Sequence, residues 1–113
     1  MDGKLVGVSV ITIGKRYLES AYFLYDTDMK FLNLGVMSVI REIEYMKHIQ
    51  KNFNPEMQDY MLGDIVMNCP KVNYKANYQP GFVQCPRTKR EMPFNKVKDT
   101  INVLSSLPIE QKR

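Results

Sequence analysis

The chain has 113 residues, is 44% hydrophobic and 25% charged, and carries a formal net charge of +4. That length and balance suit one globular domain at most and exclude collagen-like repeats, low-complexity disorder and a disulfide-dense miniature scaffold. No apolar run approaches the roughly 18 residues of a membrane helix, and residues 1–16 lack the pattern of a secretion signal, so no membrane is expected and the cytoplasm is the expected compartment.

Leu5–Ile13 (LVGVSVITI) is β-branched and apolar and predicts a strand. Gly14, Lys15 and Arg16 form a turn, and Tyr17–Tyr25 predicts a second strand that closes a hairpin with the first. Ala21, Phe23 and Tyr25 alternate with Tyr22 and Leu24, so both faces are apolar and the strand is expected to be central in its sheet. Asp26, Thr27 and Asp28 end it and open a loop. Asn33 is placed to cap the N-terminus of a helix over Leu34–Lys51, the clearest helix in the chain. Val36, Val39, Ile40, Ile43 and Met46 make its apolar stripe, with Arg41, Glu44, Tyr45 and His48 on the other side. Asn52–Pro55 ends the helix.

Tyr60–Met67 predicts a third strand, containing Gly63 and the awkward acid Asp64. Asn68–Pro80 reads as an irregular polar loop, and Gly81–Cys85 as a short strand. Pro93 precedes a weaker helix over Phe94–Leu104, with Val97, Ile101 and Leu104 on one face, and a frayed polar tail follows. The order predicts an α+β fold. A strand, helix and strand form a right-handed crossover between parallel strands, and the hairpin makes the sheet mixed.

Two groups of residues are placed for chemistry. A central strand delivers Asp26 to its C-terminal end, and the following helix begins at Asn33, Leu34 and Gly35. Unpaired amides and the helix dipole favour an anion there, and Gly35 would let a phosphate approach the backbone. The same arrangement is also that of an ordinary strand-to-helix loop whose glycine serves packing. Neither GxxxxGK[ST] nor GxGxxG occurs.

The second group is Cys69-Pro70-Lys71-Val72-Asn73-Tyr74-Lys75. Its lysines would pair a phosphate or carboxylate, unless the segment is only a proline-pinned surface loop. It opens a locally basic stretch. Residues 71–100 carry seven Lys and Arg against two Asp and Glu, whereas residues 1–70 carry seven against nine. Basic residues interleaved with Tyr74, Tyr78 and Phe82 suit phosphates and stacked bases, and they equally suit a solvated loop. Cys69 and Cys85, each followed by proline, are expected to be free thiols. They make half a zinc site, and His48, the one histidine, lies far away in sequence, so no metal is expected.

The string YFLYDTDMKFLNLGVMSVIREIEY resembles the C-terminal domain of arginyl-tRNA–protein transferases, in which a strand ends near Tyr-Tyr-Asp-Pro-Asp and is followed by Leu-Gly and a helix containing Arg-Glu-Ile. YMLGDIVMNCPKVNYKANYQPGFVQCPRTKREMP is similar to a second block of that family, with Cys-Pro-Lys, Tyr-Lys, Tyr-x-Pro and Cys-Pro-x-Thr. The similarity runs from about Leu5 to Pro93. Departures are Thr27, where the family usually has proline, and Asp64 and Glu91, where an aromatic is common.

The resemblance implies part of a GNAT-type acyltransferase fold that moves arginine from arginyl-tRNA to the N-terminal amine of proteins beginning with Asp, Glu or oxidised Cys, a degradation signal of the N-degron and ubiquitin-linked route. It implies that the family's cysteine-rich N-terminal domain and the first strands of the acyltransferase fold are absent from this chain. On matching positions it implies Asp26 as a catalytic or substrate-pairing acid, Asn33, Leu34, Gly35 and Arg41 toward the tRNA, and Lys71, Tyr74 and Lys75 toward tRNA or the acidic acceptor. Arginyl-tRNA is then a cosubstrate, and no cofactor or metal is implied in this chain. An inactive tRNA- or protein-binding module of the same fold is the alternative. An acetyltransferase using coenzyme A is the weaker third reading, because no Gly-rich pyrophosphate loop opens the helix.

Overall fold

The computed structural model describes residues 1–65, 67–78 and 80–106, the side chains of residues 72, 105 and 106 apart. The chain divides into two units, residues 1–63 and residues 64–113.

The first unit runs β1 (Gly7–Ile13), β2 (Tyr17–Tyr25), a 3-10 helix (Thr27–Leu32), α1 (Leu34–Asn52) and β3 (Asp59–Met61). Its sheet has the order β1-β2-β3, antiparallel between β1 and β2 and parallel between β2 and β3. The mixed sheet, the hairpin, the central position of β2 and the helical crossover therefore stand as expected. The hairpin is closed by the Gly14 amide donating to Tyr17 O at 2.8 Å, and a Cβ at position 14 would force the Tyr17 ring to shift.

Val10 pairs with Tyr22 but Ile11 pairs with Ser20, which leaves Ala21 as the extra residue of a β-bulge. The simple alternation expected along β2 is broken at that point. The cross-strand pairs Val8–Leu24 and Val10–Tyr22 are exposed, so β2 is central without being covered on both faces.

Leu18, Met46 and Met57 form the core, with Ile11, Ile49 and Tyr60 packed against it. Leu18 and Met57 are fully buried. The buried face of α1 is Leu34, Ser38, Val39, Glu42 and Met46. This corrects the expected stripe: Val39 and Met46 face inward, Ile43 is half-buried, and Val36 and Ile40 are exposed. The helix is rotated because two polar residues are satisfied inside. Ser38 Oγ donates to Gly35 O at 2.7 Å, and Glu42 accepts from the sheet.

The third strand is shorter than the predicted Tyr60–Met67. It ends at Met61, and Gly63 adopts φ +77, a left-handed turn that takes the chain out of the sheet. Asp64 is exposed, whereas Glu42 on α1 is buried.

The second unit runs α2 (Pro70–Asn73), a 3-10 helix (Tyr74–Asn77), β4 (Phe82–Gln84), β5 (Glu91–Pro93) and α3 (Phe94–Ser106). The segment expected to be irregular is thus largely helical. Proline fits the first position of a helix, and the Asn73 amide closes the turn on Cys69 O at 2.9 Å. β5 was not expected. It pairs antiparallel with β4 and is too short to carry a strand pattern of its own. The Phe94 amide donates to Gly81 O at 2.8 Å as α3 begins, and its side chain is buried. Val97 and Ile101 are half-buried, whereas Leu104 is exposed. The expected frayed tail beyond residue 106 lies outside the described residues.

Candidate functional site

β2 carries the chain to Asp26, whose carboxylate has two partners. Oδ1 accepts from the Asp28 amide at 3.0 Å and so caps the 3-10 helix, and Oδ2 pairs with Lys4 Nζ at 3.2 Å. The Asp28 amide first, then the Lys4 ammonium, hold the Asp26 carboxyl below the usual aspartate value. Asp26 is therefore held in place by two partners, an amide and an ammonium.

Asn33 stands at the N-cap of α1, as expected, but in the left-handed region (φ 54, ψ 48) and without a side-chain capping bond. Its amide is turned back to Lys30 O at 3.1 Å. Val36 and Met37 both donate to Asn33 O, at 3.1 and 3.2 Å. The amides of Leu34 and Gly35 are left with no partner among the described residues, as a helix start requires. Leu34 itself is buried and anchors this end. A Cβ at Gly35 would meet nothing within 4 Å, so packing is not what the glycine serves. The backbone there is open to approach.

Arg41 is not brought to this place. It lies six residues on, about 9 Å along the helix, and its guanidinium pairs with Glu44 at 3.2 Å on an exposed face. Lys71, Tyr74 and Lys75 belong to the second unit. Lys71 is exposed on α2, and Tyr74 packs edge-on against Tyr78 with ring centroids 6.4 Å apart. Burial, with Tyr74 beside it, pushes the Tyr78 hydroxyl upward. Lys75 Nζ donates to Asp64 O at 2.9 Å, so this lysine ties its own segment together.

Two arrangements escaped the sequence reading. Glu42 is only 4% exposed, yet it accepts from Ser20 Oγ on β2 at 3.3 Å and from the Tyr60 hydroxyl on β3. Ser20 is the first residue of β2 beyond its parallel pairing with β3, which covers Tyr17 to Glu19. The clue was the 34-38-42-46 spacing, which places Glu42 on the same side as Leu34 and Met46.

The other is the β4–β5 turn. The Cys85 thiol receives the Thr88 hydroxyl and the Thr88 and Arg87 amides, which lower its pKa. Cys69 and Cys85 are free thiols, and the described residues contain no cluster of three potential metal ligands. No helix among them is long and apolar enough to cross a membrane.

Residues 1–85 match the family model for the C terminus of arginine-tRNA-protein transferase. The chain belongs to that family. Among its curated relatives, arginyl-tRNA–protein transferase 1 of Dictyostelium discoideum is 43% identical over 96 residues, covering 85% of this chain and 15% of the relative. The Drosophila melanogaster protein of the same name is 36% identical over 97 residues, covering 86% and 20%. An aspartate/glutamate leucyltransferase of Campylobacter jejuni is 32% identical over 80 residues, covering 71% and 31%. The chain thus spans a third or less of the length of these relatives. The family match takes in Asp26, the start of α1, the Ser20–Glu42–Tyr60 cluster and Lys71 to Lys75, and ends at Cys85.

Proposed function

We propose that this chain takes part in moving arginine from arginyl-tRNA to the N-terminal amine of a protein. The observation that carries the reading is the family match over residues 1–85, together with relatives named for that transfer. The leucyltransferase relative, whose name couples aspartate and glutamate to the reaction, supports an acceptor with an acidic first residue.

In this reading the β2–α1 unit is part of a GNAT-type acyltransferase fold. The open amides of Leu34 and Gly35, presented beside Asn33, receive a phosphate near the tRNA 3′ end. Asp26, held ionised, pairs the guanidinium of the arginyl group or the acceptor ammonium in place of Lys4. Arg41 reaches phosphate only by releasing Glu44. Lys71 and Tyr74 contact tRNA or the acidic first residue, and Lys75 holds that loop in shape.

The chemistry is an aminolysis. The amine nitrogen bonds to the ester carbonyl carbon, the bond to the ribose oxygen breaks, and one proton passes from nitrogen to that oxygen. Orientation of the two substrates supplies much of the rate, and arginyl-tRNA serves as cosubstrate with no resident cofactor called for. A product marked for degradation fits the cytoplasm and nucleus.

The test is incubation of the folded chain with labelled arginyl-tRNA and peptides beginning with Asp, Glu or Ala. Label on the Asp and Glu peptides alone is expected. A folded chain that labels none of them overturns the reading.

A further inference from the structure

Charge is divided unevenly between the two units. Residues 64–113 hold nine Lys and Arg against four Asp and Glu, or +5, whereas residues 1–63 hold seven against eight. The ion pairs Lys4–Asp26, Lys15–Glu56 and Arg41–Glu44 all lie in the first unit. In the second, Lys71, Arg87, Lys89, Arg90, Lys96 and Lys98 form no ion pair among the described residues. Three of these cations fall within four residues at the tip of the β4–β5 hairpin.

That tip is a built turn. The Cys85 amide donates to Arg90 O at 2.9 Å, the Lys89 amide to Cys85 O at 2.8 Å, and the Arg90 amide to Thr88 Oγ1 at 3.4 Å. Gln84 Nε2 braces it through Lys89 O at 3.4 Å. Lys89 sits at φ 61, a left-handed position that glycine would occupy without strain. A cation thus stands at a tip position where the backbone favours glycine. Arg87, Thr88, Lys89 and Arg90 are all exposed, and Phe82 at the base of the hairpin is exposed as well. Glu91, next in sequence, lies on β5 and forms no ion pair with them among the described residues.

We propose that the turn Arg87–Arg90 is a contact for the sugar-phosphate backbone of RNA. Two guanidinium forks and an ammonium within four residues offer several phosphate partners at once, whereas an acidic peptide terminus offers a single carboxylate to a unit carrying +5. The turn lies beyond the residues matched by the family model, which end at Cys85. The inference rests on the preceding reading only in naming tRNA as the RNA.

The test uses the full chain, uncharged arginine-accepting tRNA and polyuridylate, with binding followed by fluorescence anisotropy from about 50 to 200 mM salt. In the variant Arg87→Gln, Lys89→Gln, Arg90→Gln, the slope of log affinity against log salt becomes shallower by about two to three, and affinity at the low-salt end falls about tenfold or more, for both RNAs. The variant Arg87→Lys, Arg90→Lys keeps the charge and retains the slope, which separates lost contacts from lost folding. A control that removes three cations from the first unit, Lys15→Gln, Lys47→Gln, Lys51→Gln, leaves the slope within about one of the unaltered chain.

An unchanged slope in the hairpin variant, an equal fall in the control, or no RNA binding by the unaltered chain overturns the contact. Arginine transfer is measured separately on the unaltered chain. Transfer with hairpin-independent binding removes this inference alone, and hairpin-dependent binding without transfer removes only the proposed activity.

Discussion

The Tyr60 hydroxyl donates to the carboxylate of Glu42 and ties β3 to the buried face of α1. Ser20 adds a bond from β2 to the same carboxylate, so one side chain joins all three elements of the crossover. A carboxylate in this position is costly to bury unless donors reach it. Removing a donor therefore costs more than an average hydrogen bond. Tyr60→Phe is expected to destabilise the chain by about 1–3 kcal/mol, seen as a lower urea midpoint. Ser20→Ala, which removes the longer bond at a half-buried position, is expected to cost less. Equal midpoints for Tyr60→Phe and the unaltered chain would show that the carboxylate is satisfied elsewhere.

Leu18 is the fully buried residue of β2 and meets Met46 and Met57 in the core. Leu18→Ala is expected to cost about 2–5 kcal/mol, because the methionines close only part of the cavity it leaves. Leu24→Ala, five pairs further along the same hairpin but exposed, is expected to stay within about 0.5 kcal/mol. Denaturant titration of both variants checks the contrast. A large loss at Leu24 would mean that the exposed face of β1 and β2 is covered in solution.

The hairpin, α1 and the parallel return to β3 were legible in the sequence because β-branched runs and a 19-residue helix carry strong periodic signals. The position of α1 on the sheet was not. An apolar count favours Val36 and Ile40, and the inward turn of Glu42 depends on partners 18 and 22 residues away on other strands. The bulge at Ala21 has no local signal, since its cause is the register with β1. β5 and the Cys85 turn were hidden for a related reason. Three-residue strands exist through their pairing, and the donors around Cys85 come from the return of the chain. At the candidate site, Asp26 and the α1 N-terminus were readable from their order, whereas the engagement of Arg41 by Glu44 and of Lys75 by Asp64 O was not.

Asp26 yields a pH prediction. Its folded value lies below the ordinary 3.8, through the Asp28 amide and then Lys4. A depressed carboxyl stabilises the fold fully above its unfolded value and loses that contribution as pH falls through the folded one. The Asp26 carboxyl followed by NMR is expected to titrate below 3.8, and Lys4→Ala to move it part of the way back. The return stays partial because the Asp28 amide remains. A midpoint at or above 3.8 in the unaltered chain would mean that the cap does not hold in solution.

Cys85 and Cys69 are both free thiols, and their surroundings separate them. Cys85 is exposed, and its acidity is raised by the Thr88 hydroxyl first, then by the Thr88 and Arg87 amides, with Lys89 adding a smaller effect. The thiolate is the reactive form, so a lowered pKa increases its fraction at neutral pH. Iodoacetamide is expected to label Cys85 before half-buried Cys69, with the midpoint of its rate-against-pH profile below the ordinary 9.0. Thr88→Val removes the leading donor while leaving the backbone amides, so it is expected to shift that midpoint upward without abolishing labelling. Arg87→Gln keeps the amide at position 87 and is expected to leave the midpoint near its original place. Mass spectrometry of the two cysteine peptides across the pH series measures each shift. Equal labelling of Cys69 and Cys85 at every pH would show that the turn does not deliver its donors to the sulfur.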